Sequence, residues 1–257
     1  MQYERKLLIF GIFSLCIVLV SIIMPPTPQE IQYHQFADQR NYFGIPNFLN
    51  VVSNIFIFLS GIAGFFFLLH SREFLNHKIF THFSERWPYI ILFLSVIIVS
   101  ITSAYYHLEP NNNRLIWDRI PITIGIGALL SITLIERISI KFGLILLPFL
   151  ILFGIGSVIY WYWGEQYGFG NLNYYLVIQF YSILAIVILV KYFPSRYTRN
   201  KDIYIAVALY AFAKLVEILD HEIYNLGQII SGHSVKHLIV GLAVFWITYS
   251  LYMRRPL

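Results

Sequence analysis

Ser103-Ala-Tyr-Tyr-His107-Leu-Glu-Pro-Asn-Asn-Asn-Arg-Leu-Ile-Trp-Asp118 closes one long apolar run and opens the next. An imidazole stands at the end of the first run and a carboxylate at the start of the second. The Pro and three Asn between them supply a short turn. Apolar runs of about twenty residues recur on both sides, which is the length a helix needs to cross a bilayer. They lie at about 7–24, 48–69, 88–107, 119–135, 142–163, 174–193, 203–223 and 233–252. The chain therefore reads as an all-α, polytopic membrane protein with eight spans.

Composition agrees. Of 257 residues, 58% are hydrophobic and only 12% charged, against about 25% charged in a soluble domain. The net charge of +5 raises a nucleic-acid partner, but the basic residues are scattered over short loops and read as topology signals. With the N-terminus in the cytoplasm, thirteen Lys and Arg fall on that side and only Arg40, Arg114 and Arg119 on the other. The C-terminus is then cytoplasmic too, and the His107–Asp118 edge faces outward. Tyr160-Trp-Tyr-Trp163 and Tyr174-Tyr175 fall at the outer headgroup level. Arg5 and Lys6 before the first run resemble a signal peptide. Ser21-Ile-Ile-Met-Pro-Pro offers no cleavage site, so the run reads as an uncleaved anchor, stopped by Pro25, Pro26 and Pro28. Cys16 is the single cysteine, so no intramolecular disulfide forms. Short loops without a soluble extension favour a bacterial inner membrane over an endomembrane.

Ionisable residues inside a membrane are costly, and each one needs a reason. Ser103 and His107 are four apart and share a helix face, as do His233 and His237 on the last run. On the predicted topology His107, Asp118, His233 and His237 all lie at the outer edge. Three imidazoles from two helices, with a fourth position open, suit a catalytic zinc site. Zinc lowers the pKa of a water molecule to about 7. Asp118 would take that water's proton, and Ser103 would steady a developing oxyanion. Each element has a plainer reading. A lone His at a helix end is usually interfacial, as His34, His70, His77 and His82 are read here, and a lone membrane Ser is usually a packing residue. The conjunction at one membrane face favours the metal site.

The seventh run carries Lys214, Glu217, Asp220, His221 and Glu222. Glu217, Asp220 and His221 read either as support for the metal ligands or as buried ion pairing between helices, and both readings stand. Asn47, Asn50, Ser53 and Asn54, with Gly61 and Gly64, read as helix-packing residues. The preceding loop offers Asp38, Asn41 and Asn47 to a hard cation such as calcium, with Asp38 the only carboxylate.

The order Asn50-Val-Val-Ser53-Asn54, Ser103-x-x-x-His107, Asp118, His233-x-x-x-His237 resembles the CREST superfamily of membrane hydrolases, nearest its alkaline ceramidase branch. The resemblance runs from about residue 34 to the end. It implies a ceramidase-like seven-helix domain over 34–257, with residues 1–33 as an extra anchor helix and outer loop. It also implies zinc on His107, His233 and His237, with Asp118 and Ser103 at the water or the reacting carbonyl. Ceramidases carry an acidic-Trp-Cys-acidic-x-Asn calcium motif and a Glu before the first core helix. Asp38-Gln-Arg-Asn41-Tyr and Asn47 stand in those places here.

The expectation is a zinc-dependent hydrolase of a lipid amide, ceramide in the simplest case, with its lipid substrate inside the bilayer. No nucleic-acid partner is expected and no protein partner is implied. Three alternatives follow from the same residues. One is a heptahelical receptor of the progestin and adipoQ type with a structural zinc. Another is a haem carrier, disfavoured because His233 and His237 share one face of one helix. The third is a retinal protein using Lys236, disfavoured because a Lys at a helix mouth snorkels.

Overall fold

A computed structural model describes residues 2–74 and 78–257; His77 lies outside them. The described residues form helices α1 (Gln2–Ile23), α2 (Phe48–Val52), α3 (Asn54–Phe74), α4 (Arg86–Leu108), α5 (Asn112–Arg137), α6 (Ile140–Gln166), α7 (Asn173–Leu176), α8 (Ser182–Tyr192), α9 (Asp202–Ile218), α10 (Asp220–Asn225) and α11 (Gly232–Met253). No β-strand occurs among them, so the fold is all-α, as the sequence predicts. Seven helical stretches are long and apolar enough to cross a membrane. An eighth, α9, is 17 residues long, or about 26 Å at 1.5 Å per residue, short of a hydrocarbon core of about 30 Å.

The seventh predicted span therefore differs from expectation. The run 203–223 is not one helix: it breaks at Leu219 (φ −88°, ψ 28°), and α10 starts afresh at Asp220. The cause is local. The start of α11 packs into the break, so that a Cβ on Gly232 would stand 2.1 Å from the Val216 carbonyl oxygen and 2.9 Å from Asp220 Cα. Only glycine permits that approach.

α5 sits at the centre, flanked by α4, α6 and α8, while α11 closes the bundle between α3 and α9. The most apolar window of α5 is 72% buried within the protein, against 6% for α1. That contrast places α1 at the periphery of the bundle. α3 meets α4 closely at Gly61 and Gly64, where added Cβ atoms would fall 2.9 Å from Ile97 and 2.2 Å from Phe93, the small-residue contact expected of membrane helices.

At one end of the bundle, Arg254 is stacked among Phe80, Tyr89 and Tyr197 and ion-paired with Glu136. At the other end, residues 24–47 cross over the helix ends. Gln29 N–H donates to Glu165 Oε1 at 2.7 Å, and Ala37 N–H to Asp220 Oδ2 at 2.9 Å. This loop roofs the end where α4 stops and α11 starts.

Candidate metal centre

Asn111 caps α5, accepting from Arg114 N–H, and Ser231 caps α11, accepting from Ser234 N–H. These caps fix where the His107–Asp118 hairpin and the His233–His237 turn begin. The C-terminal turn of α4 then faces the N-terminal turn of α11. His107, His233 and His237 are all buried, and one nitrogen from each lies within 4.8 Å of the other two. The Nε2 atoms of His107 and His233 are 3.2 Å apart. Two nitrogens at about 2.1 Å on one tetrahedral ion stand about 3.4 Å apart, so this spacing fits. The three-His group can hold a metal ion.

Each imidazole is held differently. His237 Nδ1 is 2.8 Å from Ser53 Oγ. His107 Nδ1 is buried with no hydrogen-bond partner, and the His107 carbonyl oxygen accepts from Asn47 Nδ2 at 2.8 Å. Asn47 reaches it from a left-handed backbone (φ 47°), which Asn tolerates better than most residues. His233 is fixed through its backbone, its N–H donating to Asp220 Oδ1 at 2.7 Å. Phe36, from the roofing loop, lays its ring 4.6 Å from the His107 ring and 4.5 Å from His233.

Ser103 and Asp118 line a cavity of about 210 Å³ together with His237. Asp118 Oδ1 is buried without a hydrogen-bond partner. Beyond these groups the cavity continues between apolar side chains such as Val96, Ile126, Val240 and Val244.

The three residues read as support part company. Asp220 bridges the α11 start and the roof loop. Glu217 lines the cavity, its Oε2 2.5 Å from Lys214 Nζ and its Oε1 2.8 Å from Lys236 Nζ. His221 is exposed and faces the Gln35 carbonyl oxygen at 3.2 Å, away from the cluster. None of these three takes an imidazole N–H. Ser53, read only as a packing residue, stands within hydrogen-bond distance of His237 Nδ1.

Of the residues proposed for calcium, Asp38, the one carboxylate, is engaged elsewhere. Asp38 is buried, and both its carboxylate oxygens accept from the Arg40 guanidinium, at 2.8 and 2.7 Å. That bond holds Arg40 above its usual pKa range. The Asn47 amide donates to His107, and Asn41 is exposed.

Three further residues depart from their reading. Lys236 does not snorkel: it turns inward, its Nζ 2.8 Å from both Glu217 Oε1 and His233 Nε2. Snorkelling therefore no longer argues against a retinal; engagement with His233 does. Of the aromatic residues assigned to the headgroup level, Tyr160 and Trp163 are exposed, but Trp161 and Tyr175 are buried. With Tyr33 they box in Arg119 at 4.2–5.3 Å from the ring centres, and Arg119 also donates to Gln29 Oε1 at 2.5 Å.

His34 anchors the roof, its Nδ1 2.9 Å from Tyr106 Oη and its Nε2 2.9 Å from Asn112 Oδ1. Burial lowers its pKa below the ordinary histidine value. No protein-family model, no curated protein and no solved structure matches this chain.

Proposed function

We propose that this protein is a zinc-dependent, membrane-embedded hydrolase that cleaves the amide bond of a lipid. One juxtaposition supports the reading. Three buried imidazoles are able to share an ion, and one of them, His237, lines an apolar cavity whose wall also carries Asp118, with an unpartnered oxygen, and Ser103. A zinc ion on His107, His233 and His237 would supply Lewis-acid polarisation and an acidified water. The chain's own groups do the remainder. The free Asp118 oxygen accepts a proton from water and returns it to the leaving amine. The Ser103 hydroxyl donates toward the developing oxyanion. The apolar walls take acyl chains and keep bulk water out. Ceramide is the simplest substrate of this class.

A lipid receptor with a structural zinc is the second reading. The Phe36 ring favours it, because it covers two of the three imidazoles. Elemental analysis of detergent-purified protein beside His233→Ala, followed by incubation of the wild type with N-acyl lipids, tests both. About one zinc per chain, lost in the variant, with fatty acid released by the wild type, upholds the hydrolase. Zinc without turnover of any lipid amide supports the receptor. No metal in either protein overturns both.

A further inference from the structure

The cavity beside the imidazoles carries charges that amide hydrolysis does not use. Lys214 and Lys236 both reach into it and share Glu217, one on each carboxylate oxygen. Two ammoniums carry six N–H donors. Protein side chains take three of them, two at Glu217 and one at His233 Nε2. No other side chain among the described residues takes the remaining donors, and both lysines line a cavity whose wall is mostly hydrocarbon, where an unmet charged donor is costly.

The charge balance points the same way. Lys214 and Lys236 are matched in number by Glu217 and Asp118, but only Glu217 pairs with them. Asp118 lines the same cavity but forms no ion pair with either lysine among the described residues. A divalent ion on neutral imidazoles would bring the site to two lysines and two metal charges against two carboxylates, a surplus of two.

A second observation comes from a different helix. Between α7 and α8 the backbone widens into a π-turn, Val177–Tyr181. Such turns inside α-helices are frequent at functional sites. This one carries Gln179, which is buried and lines the cavity. Tyr210 lines it too, its buried hydroxyl facing Gln179.

We propose that Lys214, Lys236, Gln179 and Tyr210 form a headgroup subsite for an anionic acyl lipid, one with a carboxylate or phosphate at its polar end. The anion sits on the two ammoniums, Gln179 and Tyr210 donate to it, and the acyl chain lies along the apolar wall. The proposal builds on the hydrolase reading and narrows its substrate: a neutral ceramide would leave the surplus positive charge unanswered, whereas an N-acyl amino acid would meet it.

Equilibrium binding to the detergent-purified protein tests this without turnover, and so independently of the hydrolase reading. The probes share one chain: N-oleoylglycine, its neutral amide N-oleoylglycinamide, and oleoyl lysophosphatidate. The wild type is expected to bind one anionic probe at least tenfold more tightly than the neutral amide. A carboxylate preference names an acyl amino acid, and a phosphate preference names a phospholipid-type headgroup. Lys214→Met, which leaves Glu217 paired with Lys236, is expected to remove most of the preference, costing the anionic probe far more affinity than the neutral one. Equal affinity for all three probes in the wild type, or a preference that survives Lys214→Met, overturns the proposal. The wild-type comparison stands even if the variant does not fold.

Discussion

Ser53 Oγ stands 2.8 Å from Nδ1 of His237, and the same hydroxyl donates to the Asn50 carbonyl oxygen at 3.3 Å. With the hydroxyl turned to Asn50, its oxygen is placed to accept from His237 in the Nδ1–H tautomer. That tautomer leaves Nε2 bare to hold an ion. Ser53→Ala frees the ring to rotate and to change tautomer. Loss of such a partner typically costs 10–100-fold in metal affinity, and a fall of about that size is expected in competition titrations against a chelator. An affinity equal to wild type would remove Ser53 from the site.

Lys236 makes the opposite prediction. Its ammonium donates to His233 Nε2, the same nitrogen that faces His107. Lone pair and donor are matched, so an ion and this hydrogen bond exclude one another. A hydrogen bond to a charged group is worth about 1.5–3 kcal/mol. Removing the competitor in Lys236→Met is therefore expected to tighten zinc binding about tenfold or more, a factor of ten being about 1.4 kcal/mol. Glu217 keeps Lys214 in that variant. Weaker or unchanged zinc binding would mean that Lys236 does not contend for His233.

These two residues also mark how far the sequence could be read. The spans were legible because apolar runs of membrane length are a one-dimensional signal, and the three imidazoles because i,i+4 spacing puts residues on one face whatever the tertiary packing. Ser53 and Lys236 were not, for a shared reason. Ser53 lies on the second apolar run and meets the last helix 184 residues later, a pairing that depends on how α11 closes the bundle. Lys236 lies in the first turns of its helix, where snorkelling and inward pairing have the same sequence pattern; the choice rests on Glu217 arriving from α9. The break at Leu219 was hidden as well. Lys214, Glu217 and His221 keep helical spacing through it, and only Gly232 packing against Val216 and Asp220 shows where the helix must stop.

The roof over the site should respond to pH through His34. Burial holds it neutral between Tyr106 and Asn112, with its pKa below the ordinary value of 6.5. In the unfolded or opened loop the ring regains that value and binds protons more readily. The sign follows: the contribution of His34 to the closed roof is complete above about 6.5 and is lost as the pH falls below it. Proteolysis of the 24–47 loop is expected to quicken between pH 7.5 and 5.5. In His34→Gln, which keeps hydrogen-bonding capacity but does not titrate, that acceleration should flatten. Identical pH profiles for the two proteins would place the sensitivity on another group.

Asp118 separates chemistry from assembly. Its Oδ1 is buried with no partner, and no ion pair or hydrogen bond of the described residues depends on its charge. Asp118→Asn keeps the shape and so leaves the three imidazoles where they are. Zinc content should equal wild type. A group that carries a proton in the transition state typically contributes about 10²–10⁴-fold, so turnover of a lipid amide should fall by that order while metal is retained. If Asp118 were instead a ligand, metal and activity would be lost together in the variant. If it were only a helix-packing residue, both would survive. Measuring metal content and hydrolysis on the same preparation distinguishes the three outcomes, and retained hydrolysis would remove the carboxylate from the mechanism.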